Sequence, residues 1–470
     1  MYRIEKDTLG EVKVPEESYW GAQTQRAIEN FPISGWTIPY EMIKSIAAIK
    51  LGAAKANYEL GLIDEKIKNA ICQAAEEIYS GKMKDNFPID VFQTGSGTST
   101  NMNVNEVIAN RANEILGFGK GKKFPVHPND HVNKCQSSND VIPSSISVSA
   151  VLLIKNELIP SMKELSDILS DKQKEFKNVV KIGRTHLMDA TPVTLGQEFS
   201  GYKEQVLHSI ELVQSYIPRL SEIALGGTAV GTGINAHPNF PKLAIKYISE
   251  FVGHDFKETR NHFFSQATQD NIVALSGIIR TYAVALFKIA NDLRWMSSGP
   301  RCGLAEIELP SLQPGSSIMP GKVNPVIPES TMMVCAHVIG SDTSIVIGGM
   351  NGNFELNTFL PIIGYHVVNS IKILSSATRN LATKCIAGIK PNTQKMAELL
   401  EWSMSLVTPL ALKIGYDKAA ELAKRSVLEG KTVRQLVKEL KILPDDDIDK
   451  VLDPKSMLEP NAEIVGSGGG

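Results

Sequence analysis

The stretch Asn271-Ile272-Val273-Ala274-Leu275-Ser276-Gly277-Ile278-Ile279-Arg280-Thr281-Tyr282-Ala283-Val284-Ala285-Leu286-Phe287-Lys288-Ile289-Ala290 decides the fold class. Wound at about 3.6 residues per turn, its apolar residues leave almost no polar face. A helix that is apolar all round belongs in the middle of a bundle or at a subunit interface. Helical spacing continues outward. Val148, Val151, Leu152, Ile154, Leu158, Met162, Leu165 and Leu169 fall three and four apart, with Pro160 expected to kink or break the helix. A second long pattern runs from Thr191 to Leu225, with Pro192 near its start, and others run over 326–347 and 356–387. Helices of about 25–35 residues span ~40–50 Å, more than a small domain is wide. The expectation is an all-α protein with a long central helical bundle. Strand signals are sparse; Val179-Val180-Lys181-Ile182 is suited to local pairing at most.

The chain has 470 residues, too many for one ordinary core. Three parts are expected: a loop-rich helical segment 1–136, the long-helix segment 137–392, and a small helical segment 393–465. Residues 466–470 read as a linker or tag scar. Apolar residues make up 43% and charged residues 21%, which argues against a disordered chain. A net charge of -2 gives no long-range pull on nucleic acid or an acidic membrane, so an anionic ligand must be drawn by local groups. The five scattered cysteines show no metal-ligand spacing and read as reduced thiols of a cytoplasmic protein. The charged N-terminus lacks a signal-peptide pattern, and no unbroken apolar run approaches the ~18 residues of a membrane span.

Four polar segments share one character. They are Gln93-Thr94-Gly95-Ser96-Gly97-Thr98-Ser99-Thr100-Asn101-Met102-Asn103, His127 to Asp140, Gly183-Arg184-Thr185-His186-Leu187-Met188-Asp189-Ala190, and Gly315-Ser316-Ser317-Ile318-Met319-Pro320-Gly321-Lys322-Val323-Asn324. The plain reading of such Ser-, Thr- and Asn-rich segments is helix capping. A cap needs one side chain, however, and these segments carry several each. Helix N-termini bind anions through free amides and the helix dipole, so several converging would make a carboxylate site without a metal. The segment at 315–324 reads as a flexible loop that closes over an anion. It supplies Ser316 as base or nucleophile, Lys322 as a point charge and Asn324 as a donor. His186, with an ordinary pKa of ~6.5, suits proton transfer near neutrality, and His127 occupies a comparable loop. Two look-alikes are set aside. Gly315 to Lys322 has one residue too many between its glycines for a nucleotide-binding loop, and Val323 replaces the magnesium-binding hydroxyl. Gly226 to Gly233 does not fit a dinucleotide fingerprint and is better explained by close packing.

Together these segments resemble the aspartase/fumarase superfamily. The loop Gly315–Asn324 matches its G-S-x-x-M-x-x-K-x-N pattern at every fixed position. Gln93 to Thr98, His127 to Asp130, Ser137 to Asp140 and Gly352 to Asn357 are similar to the class II fumarase branch. His131-Val132-Asn133 and Pro328-Glu329 look more like the aspartate ammonia-lyase branch, which stands as the alternative. A third possibility is a non-catalytic structural protein that has kept the fold. The fumarase resemblance implies a hydro-lyase of the tricarboxylic acid cycle that hydrates fumarate reversibly to (S)-malate, with no cofactor and no metal. It implies Ser316 as the base, Lys322 as its supporting charge, His186 as the acid on the opposite face, and Glu329 as the partner of the histidine. Substrate would be held by Ser96, Gly97, Thr98, Ser137, Ser138, Asn139, Thr185, Ser317, Lys322 and Asn324. His127, Pro128, Asn129 and Asp130 would form a second dicarboxylate site. The resemblance also implies a homotetramer with active sites shared between subunits, and neither a nucleic-acid nor a membrane partner.

Overall fold

The computed structural model of the chain describes residues 1–460. The expected linker at 466–470 and the end of the 393–465 segment lie outside the described residues. Of the chain, 62% is helical, as an all-α fold requires. A hairpin opens it, β1 (Tyr2–Asp7) against β2 (Gly10–Pro15). Then follow α1 (Ala22–Asn30), α2 (Tyr40–Glu59), α3 (Glu65–Tyr79), α4 (Thr98–Ile115), α5 (Ser138–Leu153) and α6 (Ile159–Glu175). A second hairpin, β3 (Val180–Thr185) with β4 (Met188–Thr194), leads into α7 (Leu195–Leu220). After α8 (Phe240–Val252) and α9 (His262–Ala267) come α10 (Asp270–Met296), α11 (Val326–Gly349) and α12 (Leu360–Asn380). The last described helices are α13 (Thr393–Trp402), α14 (Val407–Ile414), α15 (Tyr416–Glu429), α16 (Val433–Glu439) and α17 (Asp445–Val451).

By contacts the chain divides into two compact units. The first comprises residues 1–160, 209–284 and 334–376. Its centre is α2, which packs on α3, α5 and α8, while α4 packs on α1 and α3. Met42, Ile43, Ile46, Ile49 and Leu51 of α2 are fully enclosed. The second unit comprises, among the described residues, 161–208, 285–333 and the chain from 377 onward. It holds the β3–β4 hairpin, against which α13 packs, and a C-terminal core of Leu406, Leu410, Leu422, Val433, Leu436, Val437, Ile448 and Leu452.

Several sequence expectations need correction. The helix expected from Thr191 begins at Leu195, because Val193 and Thr194 pair with Lys181 and Val180 in the hairpin. Pro192 therefore stands in a strand opposite Ile182. The irregularity expected at Pro160, by contrast, is present, as a π-helical turn at Ile154–Leu158. Proline has no N–H to give to the helix ladder, and a widened turn just before it absorbs the mismatch. Gly183 to Ala190 does not lead straight into a helix but folds back as a hairpin. The first hairpin, β1–β2, was not foreseen.

The absence of a membrane-length run also needs correction. Ser138–Glu175, α10 and α11 are long and apolar enough to cross a membrane by length and composition. Ser, Gly and a few charges interrupt each of them, so none reads as a continuous apolar run. In the first unit those interruptions are paired: Ser276 Oγ and Arg280 of α10 both donate to Asp342 of α11. Only 50% of the apolar window of α10 and 33% of that of α11 is buried within one chain, which leaves Val284, Val346 and Ile347 exposed.

Candidate active site

In the first unit two helix N-termini meet. Gly97, at φ +73°, caps α4, a backbone region that suits glycine and would strain a residue with a Cβ. A Cβ there would also sit 3.0 Å from Ile142 of α5. Thr98, the first residue of α4, and Ser138, the first of α5, bring their hydroxyls to 2.7 Å, and Ser96 reaches Thr98 at 2.7 Å. Ser137 caps α5 in a reciprocal box with Asp140. Ser137 and Asp140 close the start of α5, and Ser96, Thr98 and Ser138 form a line of hydroxyls where α4 and α5 begin. Asn139 Nδ2 donates to the carbonyl of Ala229, which fixes the side chain against the Gly226–Gly233 loop.

Asp140 is fully buried and accepts from the amides of Ser137, Gly226 and Thr228 at 2.9, 3.0 and 2.9 Å. Burial pushes its carboxyl up to about 6, against the pull of those amides. Lys50 of α2 is also fully buried and donates to Asn133 Oδ1 at 2.8 Å and Gln136 Oε1 at 3.0 Å. Burial pulls its ammonium down to about 7, with the charge of Asp140 acting the other way.

In the second unit the 315–324 segment is a loop without helix or strand. Its ends are pinched by Gly315 N–H donating to the Lys322 carbonyl and by Asn324 Nδ2 donating to the Gly315 carbonyl. A Cβ on Gly315 would stand 2.6 Å from the Lys322 carbonyl oxygen, so the pinch requires glycine. Within it, Ser316 Oγ accepts from the amides of Ile318 at 3.2 Å and Met319 at 2.9 Å. Asn324 has one amide N–H committed to the loop and one left for a ligand. Ser317 and Lys322 are exposed.

His186 and Leu187 form the tip of the β3–β4 hairpin, at φ +57° and +63°, with Thr185 beside them. Two-residue hairpin loops of this kind favour Asn-Gly, and a non-glycine residue there carries strain. The hairpin is anchored by a buried charge cluster that sequence reasoning missed. Arg184 donates to both oxygens of Glu306 at 3.0 and 2.9 Å, and Lys181 lies 3.4 Å from Glu306 and 2.8 Å from Glu198. The available signal was Glu306 itself, a charge set in the sequence Leu304-Ala305-Glu306-Ile307.

Among the described residues, no hydrogen bond or ion pair of the chain joins His186 to Glu329 or to the 315–324 loop. At the third polar segment, His127 Nδ1 accepts from the amides of Asn129 and Asp130 at 3.2 and 3.1 Å, capping a π-helical turn at Pro128–Val132. The same Nδ1 also lies 3.3 Å from Asp130 Oδ2. Pro128 is buried, whereas Asn129 and Asp130 are exposed.

A family described as Lyase matches residues 10–340, and one described as Fumarase C C-terminus matches residues 406–459. Fumarate hydratase class II of Wigglesworthia glossinidia brevipalpis is 49% identical over 97% of this chain and 98% of its own length. That of Nitrosomonas europaea is 49% identical over 97% of this chain and 99% of its own. The crystal structure of class II fumarase from Schistosoma mansoni superposes with a TM-score of 0.93 at 39% identity, covering 97% of this chain and 99% of that one.

Proposed function

The chain belongs to the lyase family of the class II fumarate hydratases, and on that premise we propose how its residues hydrate fumarate reversibly to (S)-malate. Dehydration of malate must remove a proton from the carbon next to a carboxylate, which leaves an aci-carboxylate with an extra negative charge. Donors preorganised around that charge carry most of the catalysis. Ser316 takes the proton. An alcohol is a far weaker acid than a thiol at ~8.5, so its alkoxide needs strong support. A lysine ammonium ~4 Å away at an effective dielectric of ~20 supplies ~4 kcal/mol, about three pKa units. We assign that role to Lys322. The amides of Ile318 and Met319 on Ser316 Oγ add charge-assisted hydrogen bonds worth ~1.5–3 kcal/mol each. This pair of amides, already aimed at the oxygen that would carry the negative charge, is the observation that carries the reading.

Substrate carboxylates are held by the convergent N-termini of α4 and α5, through Ser96, Gly97, Thr98, Ser137, Ser138 and Asn139, and by Thr185, Ser317, Lys322 and the free N–H of Asn324. His186 acts from the opposite face through a water as the acid that releases hydroxide, with Glu329 setting its tautomer. The reading includes a homotetramer in which neighbouring copies complete each site. The apolar faces left open on α10 and α11 support the same assembly. His127, Pro128, Asn129 and Asp130 are assigned to a peripheral dicarboxylate site.

The test mixes purified protein with malate and, separately, with aspartate while following ultraviolet absorbance of the conjugated double bond. Absorbance rises with malate alone. A rise with aspartate alone overturns the reading in favour of an ammonia-lyase.

A further inference from the structure

We propose that Lys50 is a positioning residue for the hydration, its buried ammonium bracing both helix N-termini that hold substrate and placing a positive charge beside them. The inference rests on the reading of Ser137, Ser138 and Asn139 as carboxylate ligands. Lys50 lies on α2, which contributes no group to the site, and no part of its side chain reaches solvent. Removing an ammonium from water is costly unless an opposite charge or full hydrogen bonding compensates. Among the described residues no carboxylate stands within ion-pair distance of it. Its acceptors are two neutral amides, Asn133 Oδ1 and Gln136 Oε1, which use two of its three N–H donors. Asp140 is the one charged group that acts on it, at longer range.

A methionine would fill the same space without that cost, so packing does not account for the charge. Position does. Gln136 immediately precedes Ser137, the cap of α5. Asn133 Oδ1 also accepts from Asn101 Nδ2, in the second turn of α4. Through these amides the ammonium ties α2 to the starts of both α4 and α5, the helices whose first hydroxyls touch. A dicarboxylate held at those two helix starts would supply the opposite charge that the two neutral amides do not.

The experiment compares the full chain with Lys50→Met, Lys50→Gln and Ser138→Ala. It measures thermal midpoint, assembly by sedimentation, kcat and KM, and affinity for the unreactive dicarboxylate succinate. The expected result for both Lys50 variants is a ~10- to 100-fold loss of succinate affinity per folded site, with KM rising in parallel and assembly intact. Lys50→Gln removes the charge while its side-chain N–H₂ can still donate to an amide, so it decides the matter if Lys50→Met folds poorly. Wild-type succinate affinity in a folded Lys50→Gln protein overturns the proposal. So does a loss in either variant that merely tracks the unfolded fraction. If instead Ser138→Ala binds succinate as the wild type does, the assignment of Ser137–Asn139 falls, and this inference falls with it.

Discussion

Ser316, His186 and Lys50 make different demands on their surroundings. Ser316 needs its conjugate base stabilised, and two amides already point at its oxygen. Ser316→Ala removes the base while leaving the loop pinch at Gly315 and Asn324 intact, so kcat is expected to fall by ~10²–10⁴-fold with an unchanged thermal midpoint. Steady-state kinetics beside calorimetry checks this. Lys50 carries a linkage prediction. Its folded pKa, about 7, lies below its ordinary 10.5, so between those values the unfolded chain binds more protons than the folded one. Its contribution to stability is present above the unfolded value and is lost as pH falls through about 7. The wild type should therefore gain ~2 kcal/mol relative to Lys50→Met between about pH 7 and pH 9, read from urea midpoints. Equal pH slopes for the two proteins would show that the lysine is not depressed in the fold.

Elements decide where those residues stand. The β3–β4 hairpin holds His186 at its tip with two consecutive non-glycine residues at positive φ. Leu187 is exposed and makes no polar contact through its side chain, so Leu187→Gly relieves strain and is expected to stabilise by about 1 kcal/mol. The assay is chemical denaturation. A destabilised Leu187→Gly protein would mean that the leucine packs against something a lone chain lacks. Asp140 is the reverse case, a side chain with three buried amides depending on it. Asp140→Ala orphans all three and should cost ~3–5 kcal/mol and most of the activity, measured by thermal unfolding and turnover. In the sequence Asp140 was legible as a cap residue, being three positions after Ser137. Its second task, gripping the 226–228 loop, was not legible, since those residues lie more than eighty positions away.

At the scale of the whole molecule, apolar surface is the argument. Ile347 of α11 is 51% exposed in one chain, and Val284 of α10 is 54% exposed. Apolar positions at that exposure on long helices invite burial against further copies. Ile347→Asp is expected to shift the sedimenting species from the proposed tetramer toward smaller forms and to lower activity in proportion, because each site is proposed to draw on neighbouring copies. A dissociated protein with full activity would refute the shared site.

The sequence by itself determined the helical class, the long apolar helices and the candidate residues Ser316, Lys322, Asn324 and His186. Those signals are local: helix periodicity repeats every few residues, and a glycine-bounded loop announces itself within ten. Only the tertiary structure decided that Thr98 and Ser138 touch, that a strand replaces the first turn expected of α7, and that Lys50 and Glu306 are buried charges. Pairing of Val193 with Lys181, or of Lys50 with Asn133, depends on which distant segments the core brings together. No short window of residues encodes that choice, because the free energy that selects it comes from burial shared across the fold.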